Sequence, residues 1–427
     1  MKKILYVVLD GLGDRPVEKL GGRTPVEAAD TPNMDTLAKS AKAGLLYTVG
    51  KGIAPESDIA VISILGYDAE KYYTGRGPIE AAAMKMKLSP GDVAHRCNFA
   101  THGPRMSILD RRVGRDLSDE EAAKLADEIN ARVKLTSVPG ASFEFRHTIG
   151  HRAVLVLRKG GALSGWITNS DPAYARHGLL GTVREKFENQ VDTIVPMEGH
   201  EEDPKAIDAA ALSNEFIEKS TAVLDASEVN RARTAAGKLA GNLILTRDAG
   251  DRLPTMPSIR ETFGVQLGCF AEMPVERGIA IATGMDIVEM PISGDNWAEV
   301  YPLWAKAVVP NLGKYDGLYV HIKGPDIPGH DGDGDKKLAC IEAIDRYFFG
   351  TLLPELKLDD VVMVVTADHA TPAALKAHSD DPVPLMILGG GITGGEIDAY
   401  CERTCATGSL GEMVGTQLLP KLLELAK

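Results

Sequence analysis

The sequence predicts an α/β fold, a mostly parallel sheet flanked by helices and interrupted by a smaller inserted domain of α/β or α+β type. Three observations carry this expectation. Short apolar, β-branched runs at residues 4–9, 318–322 and 361–366 read as buried strands rather than helices. Each run is followed closely by side chains of metal-ligand type: Asp10, then Asp326 with His330, then Asp368-His369 with His378. Between the first cluster and the other two, from about residue 91, the texture changes and no such cluster occurs. Because ligands collect beyond the carboxyl ends of parallel strands in open α/β sheets, the three runs imply one crevice assembled from distant segments.

In chain order, Met1-Lys2-Lys3 and the following apolar residues superficially resemble a signal peptide. The apolar stretch ends at Asp10 with no small-residue cleavage site, so it reads as the first strand. A turn, Gly11-Leu12-Gly13-Asp14, leads to Thr31-Pro32, where Thr31 can cap a helix whose first residue is Pro32. Ser57 stands between a Pro-bearing loop and an apolar, helix-like stretch, and could start a helix whose free N–H groups hold an anion. The middle portion shows a charged helix pattern at 118–133, a strand at 153–157 and a polar segment at 198–240. From about 255 the strand candidates are 279–282, 317–322, 361–366 and 384–388. A chain of 427 residues exceeds what one core usually supports. The economical topology is a metal domain formed by 1–90 and 255–427, with 91–254 inserted.

The formal charge, 47 − 60 = −13, argues against a general nucleic-acid or anionic-membrane binder and leaves small molecules as the expected partners. The five cysteines are an odd number with no C-x-x-C pair, which suggests a reduced, cytoplasmic setting. No apolar run approaches the roughly 18 residues of a membrane span. Nothing in the sequence sets an oligomeric state.

Three carboxylates and three imidazoles nearly complete a two-metal site, and the mixture suits Mn²⁺ or Zn²⁺ better than Ca²⁺. Taken alone, Asp10 is more often a turn residue, the Asp326 loop a polar surface loop, and Ser57 a plain N-cap. Their coexistence favours the functional reading, with Ser57 as the candidate nucleophile. Residues 44–51 mimic a phosphate loop, but Gly52 stands where Ser or Thr is required. Asp331, Asp333, Asp335 and Glu342 fall at calcium-loop positions, but Lys336 replaces the obligatory glycine.

A set of motifs runs along most of the chain: the opening Asp10-Gly-Leu-Gly-Asp14, Thr31-Pro-Asn-Met-Asp35, Ser57-Asp58, Leu65-Gly-Tyr-Asp68 and Tyr73-Thr-Gly-Arg-Gly-Pro78, then Arg96-Cys-Asn-Phe-Ala-Thr101, Asp110-Arg-Arg-Val-Gly-Arg115 and Lys323-Gly-Pro-Asp326 through Asp333. In these the chain resembles the archaeal-type 2,3-bisphosphoglycerate-independent phosphoglycerate mutases of the alkaline phosphatase superfamily. The resemblance implies an alkaline-phosphatase-like sheet and interconversion of 2- and 3-phosphoglycerate through a phosphoserine intermediate. It also implies two divalent ions, Mn²⁺ first, with Zn²⁺, Co²⁺ or Mg²⁺ as alternatives. By the same resemblance, Asp10, Ser57, Asp368 and His369 hold one ion and Asp326, His330 and His378 the other. Arg96, Arg115, Arg152, Asp171 and Arg247 of the inserted domain, with Lys323, would meet the small phosphorylated acid. Two departures stand out: Glu56 replaces the glycine that usually precedes the nucleophile, and Asn169-Ser-Asp-Pro-Ala173 replaces Asp-Thr-Asp-Pro-His. Both keep open a phosphomonoesterase, or a phosphotransferase acting on another small hydroxy acid or amino alcohol.

Overall fold

The computed structural model of the chain describes residues 1–184 and 186–427. Contacts divide it into two compact units, 1–72 with 256–427, and 73–255. The first boundary falls at Tyr73, ahead of the composition change near 91. The reason is the helix Arg76–Ala83, whose Ala81 packs with Ala94, Val154 and Val156 of the second unit.

The first unit is built on an eight-stranded sheet with the order Asp286–Ile287, Leu267–Ala271, Gly317–Ile322, Lys3–Leu9, Val361–Thr366, Val383–Gly389, Lys42–Tyr47, Gly411–Val414. The first five run parallel; Val383–Gly389 is antiparallel to both its neighbours. The three central strands are almost wholly buried, which is why they read as continuous apolar runs without alternation. Their register matters for function. Leu9 pairs with Ile322 and Val8 with Thr366, so the three strands end level and the following loops leave from one edge. Residues 279–282, expected as a strand, belong instead to the helix Pro274–Thr283. A four-residue apolar run is ambiguous. Here Pro274 starts the helix, and Val275, Ile279, Ala280 and Thr283 form its buried side. Thr31 precedes the helix Pro32–Ala38, but its side chain makes no capping hydrogen bond.

The second unit is α+β. The strand Val93–His102 pairs antiparallel with Arg152–Arg158 on one side and Leu243–Gly250 on the other, and Ser142–His147 extends the sheet. One face carries Cys97, Phe99, Leu155 and Ile244, in a core shared with the helices Asp119–Arg132 and Pro204–Asp225. The polar segment expected at 198–240 is largely this second helix and Glu228–Ala235.

Within that core, His95 Nε2 lies 3.0 Å from Ser213 Oγ, and burial, with Arg176 beside it, pushes the imidazole down to about 3. Below an unfolded value of roughly 6.5 the unfolded chain takes up a proton that the folded unit refuses. Stability is therefore full above that pH and falls as pH drops towards 3, by up to about 1.4 kcal/mol per pH unit. In unfolding followed from pH 7 to 4, His95→Gln is expected to flatten this dependence. An unchanged slope would exonerate His95.

Candidate active site

The loop after Lys3–Leu9 delivers Asp10, fully buried, and turns at once through Gly11 at φ +63. A Cβ at Gly11 would lie 2.8 Å from the Asp326 Cα, so only glycine lets the two loops approach this closely. Asp326 begins the helix Asp326–Asp331, which sets His330 four residues on along the same side. Asp368 and His369 follow Val361–Thr366 directly, and the chain then turns back to present His378. Ser57 is the first residue of the helix Ser57–Ile64, with Glu56 at the N-cap.

These seven residues converge as two groups. In the first, His369 Nε2 lies 3.1 Å from Ser57 Oγ, 3.2 Å from Asp368 Oδ2 and 3.5 Å from Asp10 Oδ1. In the second, Asp326 Oδ1 lies 3.4 Å from His330 Nε2 and 3.5 Å from His378 Nε2, and the two ring nitrogens are 3.1 Å apart. The Nδ1 atoms of these histidines face backbone carbonyls, His330 that of Lys376 and His378 that of Pro55. Carbonyls only accept, so each Nδ1 carries a hydrogen and each Nε2 is the nitrogen turned to Asp326. His369 stacks on His378, with ring centroids 3.6 Å apart.

The donor set suits cations. Asp10 Oδ1 and Asp368 Oδ2 are buried with no hydrogen-bond donor, a costly state for a carboxylate unless a positive charge meets it. Burial raises the Asp368 carboxyl, and Asp10 beside it raises it further. Burial opposes ionisation of Asp10 too, but Lys323 and His321 hold it below the usual carboxylate range. Burial lowers His378, but its hydrogen bond to Asp326 and the charge of Glu56 carry it up to about 9. The pocket thus favours positive charge.

Sequence reasoning missed three contributors and one further role of a residue it had singled out. Lys323, expected to touch substrate, bridges Asp10 Oδ2 at 2.8 Å and Asp326 Oδ2 at 2.7 Å, turning the other oxygens of both carboxylates towards the histidines; that bridging role was not foreseen. His321 donates from Nε2 to Asp10 Oδ2 at 2.9 Å while its Nδ1 meets Tyr319 Oη at 2.8 Å. Its signal was a lone histidine in an apolar strand. Thr371 and Lys337, both buried, had no signal beyond proximity to the Asp368 and Asp333 segments.

The second unit has its own polar centre, and strand register builds it. Arg96 lies opposite Arg247 in one ladder, and Asn98 lies opposite Arg152 in the other. Period-two alternation puts all four on one face, with Ala94, Val154 and Val156 at the apolar end. Glu80, four residues after Arg76 on the covering helix, takes Arg76 Nε at 2.7 Å and lies 3.5 Å from Arg96 Nε. Neither Arg76 nor Glu80 was singled out from sequence. Burial and the neighbouring arginines push Arg96 down to about 9, and burial pushes Arg152 down to about 10, so this face is starved of negative charge. Arg247 stacks 3.6 Å over the Tyr174 ring. Asp171 is held by Arg111 through two hydrogen bonds, 2.9 and 2.7 Å. Arg115 is exposed on a short turn with φ +58, and its charge is felt by Arg152.

A profile of the 2,3-bisphosphoglycerate-independent phosphoglycerate mutase family matches residues 38–230. A protein of that name from Aeropyrum pernix is 44% identical over 430 residues, covering 99% of both chains. Among solved structures, the cofactor-independent phosphoglycerate mutase of Thermoplasma acidophilum is 31% identical with a TM-score of 0.61 over 100% of both chains. A Pyrococcus horikoshii protein is 30% identical with a TM-score of 0.77, over 100% of this chain and 97% of the other.

Proposed function

Because the chain belongs to the 2,3-bisphosphoglycerate-independent phosphoglycerate mutases, we infer that the crevice at the sheet edge is where its phosphoryl transfer occurs. The protein is a phosphoglycerate mutase that interconverts 2- and 3-phosphoglycerate. The observation that supports this assignment of the site is the convergence of a serine hydroxyl, two donorless carboxylate oxygens and an imidazole Nε2 at the start of a helix.

Divalent ions, with Mn²⁺ the first candidate, would be held by Asp10, Ser57, Asp368 and His369, and by Asp326, His330 and His378. When bound they supply the positive charge that eases ionisation of the Ser57 hydroxyl and offsets that of the phosphoryl oxygens. The remaining steps belong to the chain. Ser57 Oγ attacks phosphorus, forming an O–P bond as the bond to the C3 oxygen of glycerate breaks, and that oxygen takes up a proton. The glycerate turns, its C2 hydroxyl attacks the phosphoserine, and Ser57 is regenerated. The positive end of the helix Ser57–Ile64 favours the phosphoryl charge. Lys323 keeps the carboxylates aimed, and its charge lowers the net −3 of Asp10, Asp326 and Asp368. Arg96, Arg152 and Arg247 are suited to the oxyanions of the substrate, since planar guanidinium pairs them bidentately. Glycerate must stay while it turns, or water would take the phosphoryl group and the result would be a phosphatase. The small phosphorylated acid is thus the partner. Among the described residues no helix is long and apolar enough to cross a membrane.

The test is phosphorus NMR of metal-stripped and Mn²⁺-loaded protein given 3-phosphoglycerate with excess isotopically labelled glycerate. Interconversion only when loaded, with little free phosphate and no label entering product, is the expected result. Label in the product would overturn retention of glycerate, and equal turnover without metal would overturn the ion sites.

A further inference from the structure

We propose that the hydroxyl of Thr371 is the positioning group that ties the two ligand clusters together and sets the tautomer of His369. The inference rests on the reading of Asp326 and His369 as cation ligands. Thr371 is fully buried, and its Oγ1 lies 3.0 Å from Asp326 Oδ1 and 2.9 Å from His369 Nδ1. An ionised carboxylate only accepts, so the hydroxyl hydrogen goes to Asp326. The hydroxyl oxygen is then left to accept, and His369 Nδ1–H is the donor facing it. That places the lone pair of His369 on Nε2, the atom that faces Ser57, Asp368 and Asp10. One hydroxyl thereby joins His369 to Asp326 and, through His369, reaches Ser57, linking three distant segments of the chain.

The rest of Thr371 is held still. Its N–H donates to the Gly13 carbonyl at 2.9 Å, and its own carbonyl accepts from Lys337 Nζ at 2.9 Å. A Cβ at Gly329 would come within 2.6 Å of that carbonyl oxygen, so the Asp326–Asp331 helix fits only against glycine there. With the backbone clamped on both sides, the side chain acts through the hydroxyl direction rather than through bulk. Valine has the same shape without the hydroxyl; serine has the hydroxyl without the methyl group. In Thr371→Val the His369 Nδ1–H would be buried without an acceptor, and the neutral ring would move its hydrogen to Nε2, the position a cation needs.

The test uses the full-length protein, stripped of metal and titrated with Mn²⁺ by calorimetry, with the His369 tautomer read by ¹⁵N NMR and the unfolding midpoint of each metal-free variant as control. Thr371→Val is expected to weaken Mn²⁺ binding about 10- to 100-fold, the usual effect of losing such an outer partner. It is also expected to move the ring hydrogen to Nε2, while Thr371→Ser stays within a few-fold of the wild type and keeps Nδ1–H. A folded Thr371→Val that binds like the wild type overturns the inference, as does Thr371→Ser as weak as valine. Should Thr371→Val not fold, the tautomer of the wild type and the affinity of Thr371→Ser decide. Absence of Mn²⁺ binding by the wild type itself overturns the ligand reading, and this inference with it.

Discussion

Replacing Ser57 by alanine is expected to abolish mutase turnover, by a factor on the order of 10⁴ to 10⁶, the range seen when a nucleophile is removed from an otherwise intact site. The argument is geometric. Ser57 Oγ lies 3.1 Å from His369 Nε2 at the start of a helix, whereas the neighbouring Thr371 hydroxyl faces His369 Nδ1, across the ring from Asp368 and Asp10. Stability should hardly change, because the variant loses one hydrogen bond, worth about 1 kcal/mol. Acid-quenched protein should carry one phosphoryl group on Ser57 during turnover in the wild type and none in the variant. Turnover within tenfold of the wild type would remove Ser57 from its role.

Lys337→Met is expected to cost the first unit about 3–5 kcal/mol, the usual effect of breaking a buried ion pair from one side. Lys337 is fully buried in the helix Gly334–Ala343, and its ammonium makes three bonds: to Asp14 Oδ2 at 2.8 Å, the Gly13 carbonyl at 3.0 Å and the Thr371 carbonyl at 2.9 Å. Burial lowers its pKa, and Asp14 opposes that shift by favouring the charged form. Methionine fills the stem but removes one donor from Asp14, from the Gly13 carbonyl, which keeps the Thr371 N–H, and from the Thr371 carbonyl. Asp14 would keep only backbone N–H groups, those of Arg15 and Ala373. Because the same three bonds pin the loops that follow Asp10 and His369, Mn²⁺ affinity should fall together with stability. Calorimetric unfolding should show the midpoint of this unit lowered by about 10 °C, with the second unit unmoved. A loss under about 1 kcal/mol would mean that water reaches Asp14 and replaces the ammonium.

Much of this architecture was legible before any coordinates. The strands at 4–9, 318–322 and 361–366 were recognisable because burial on both faces makes a run continuously apolar and β-branched. The ligand-type residues followed from their place at strand ends, and the family followed from motifs spread along most of the chain. Where only local pattern was available, reading failed. Residues 279–282 are as apolar as a strand, and it is Pro274 and the burial of every third or fourth side chain that make them helical. The unit boundary at Tyr73 was equally hidden, since the helix Arg76–Ala83 belongs to the second sheet by packing alone.

The sequence by itself determined the fold class, the family and which side chains could carry the chemistry, because these depend on residue type, periodicity and order along the chain. Only the tertiary structure decided how those side chains are aimed. Level strand ends bring Asp10, Asp326 and Asp368 to one edge, and ladder register sets Arg96 opposite Arg247. Between segments more than 300 residues apart, the bond from Lys337 to the Gly13 carbonyl holds the loop after Asp10, and that from Lys323 to Asp10 Oδ2 leaves Oδ1 facing the site. Thr371, Lys337 and His321 act through partners that no local spacing announces, and their roles arise from distance and direction in space.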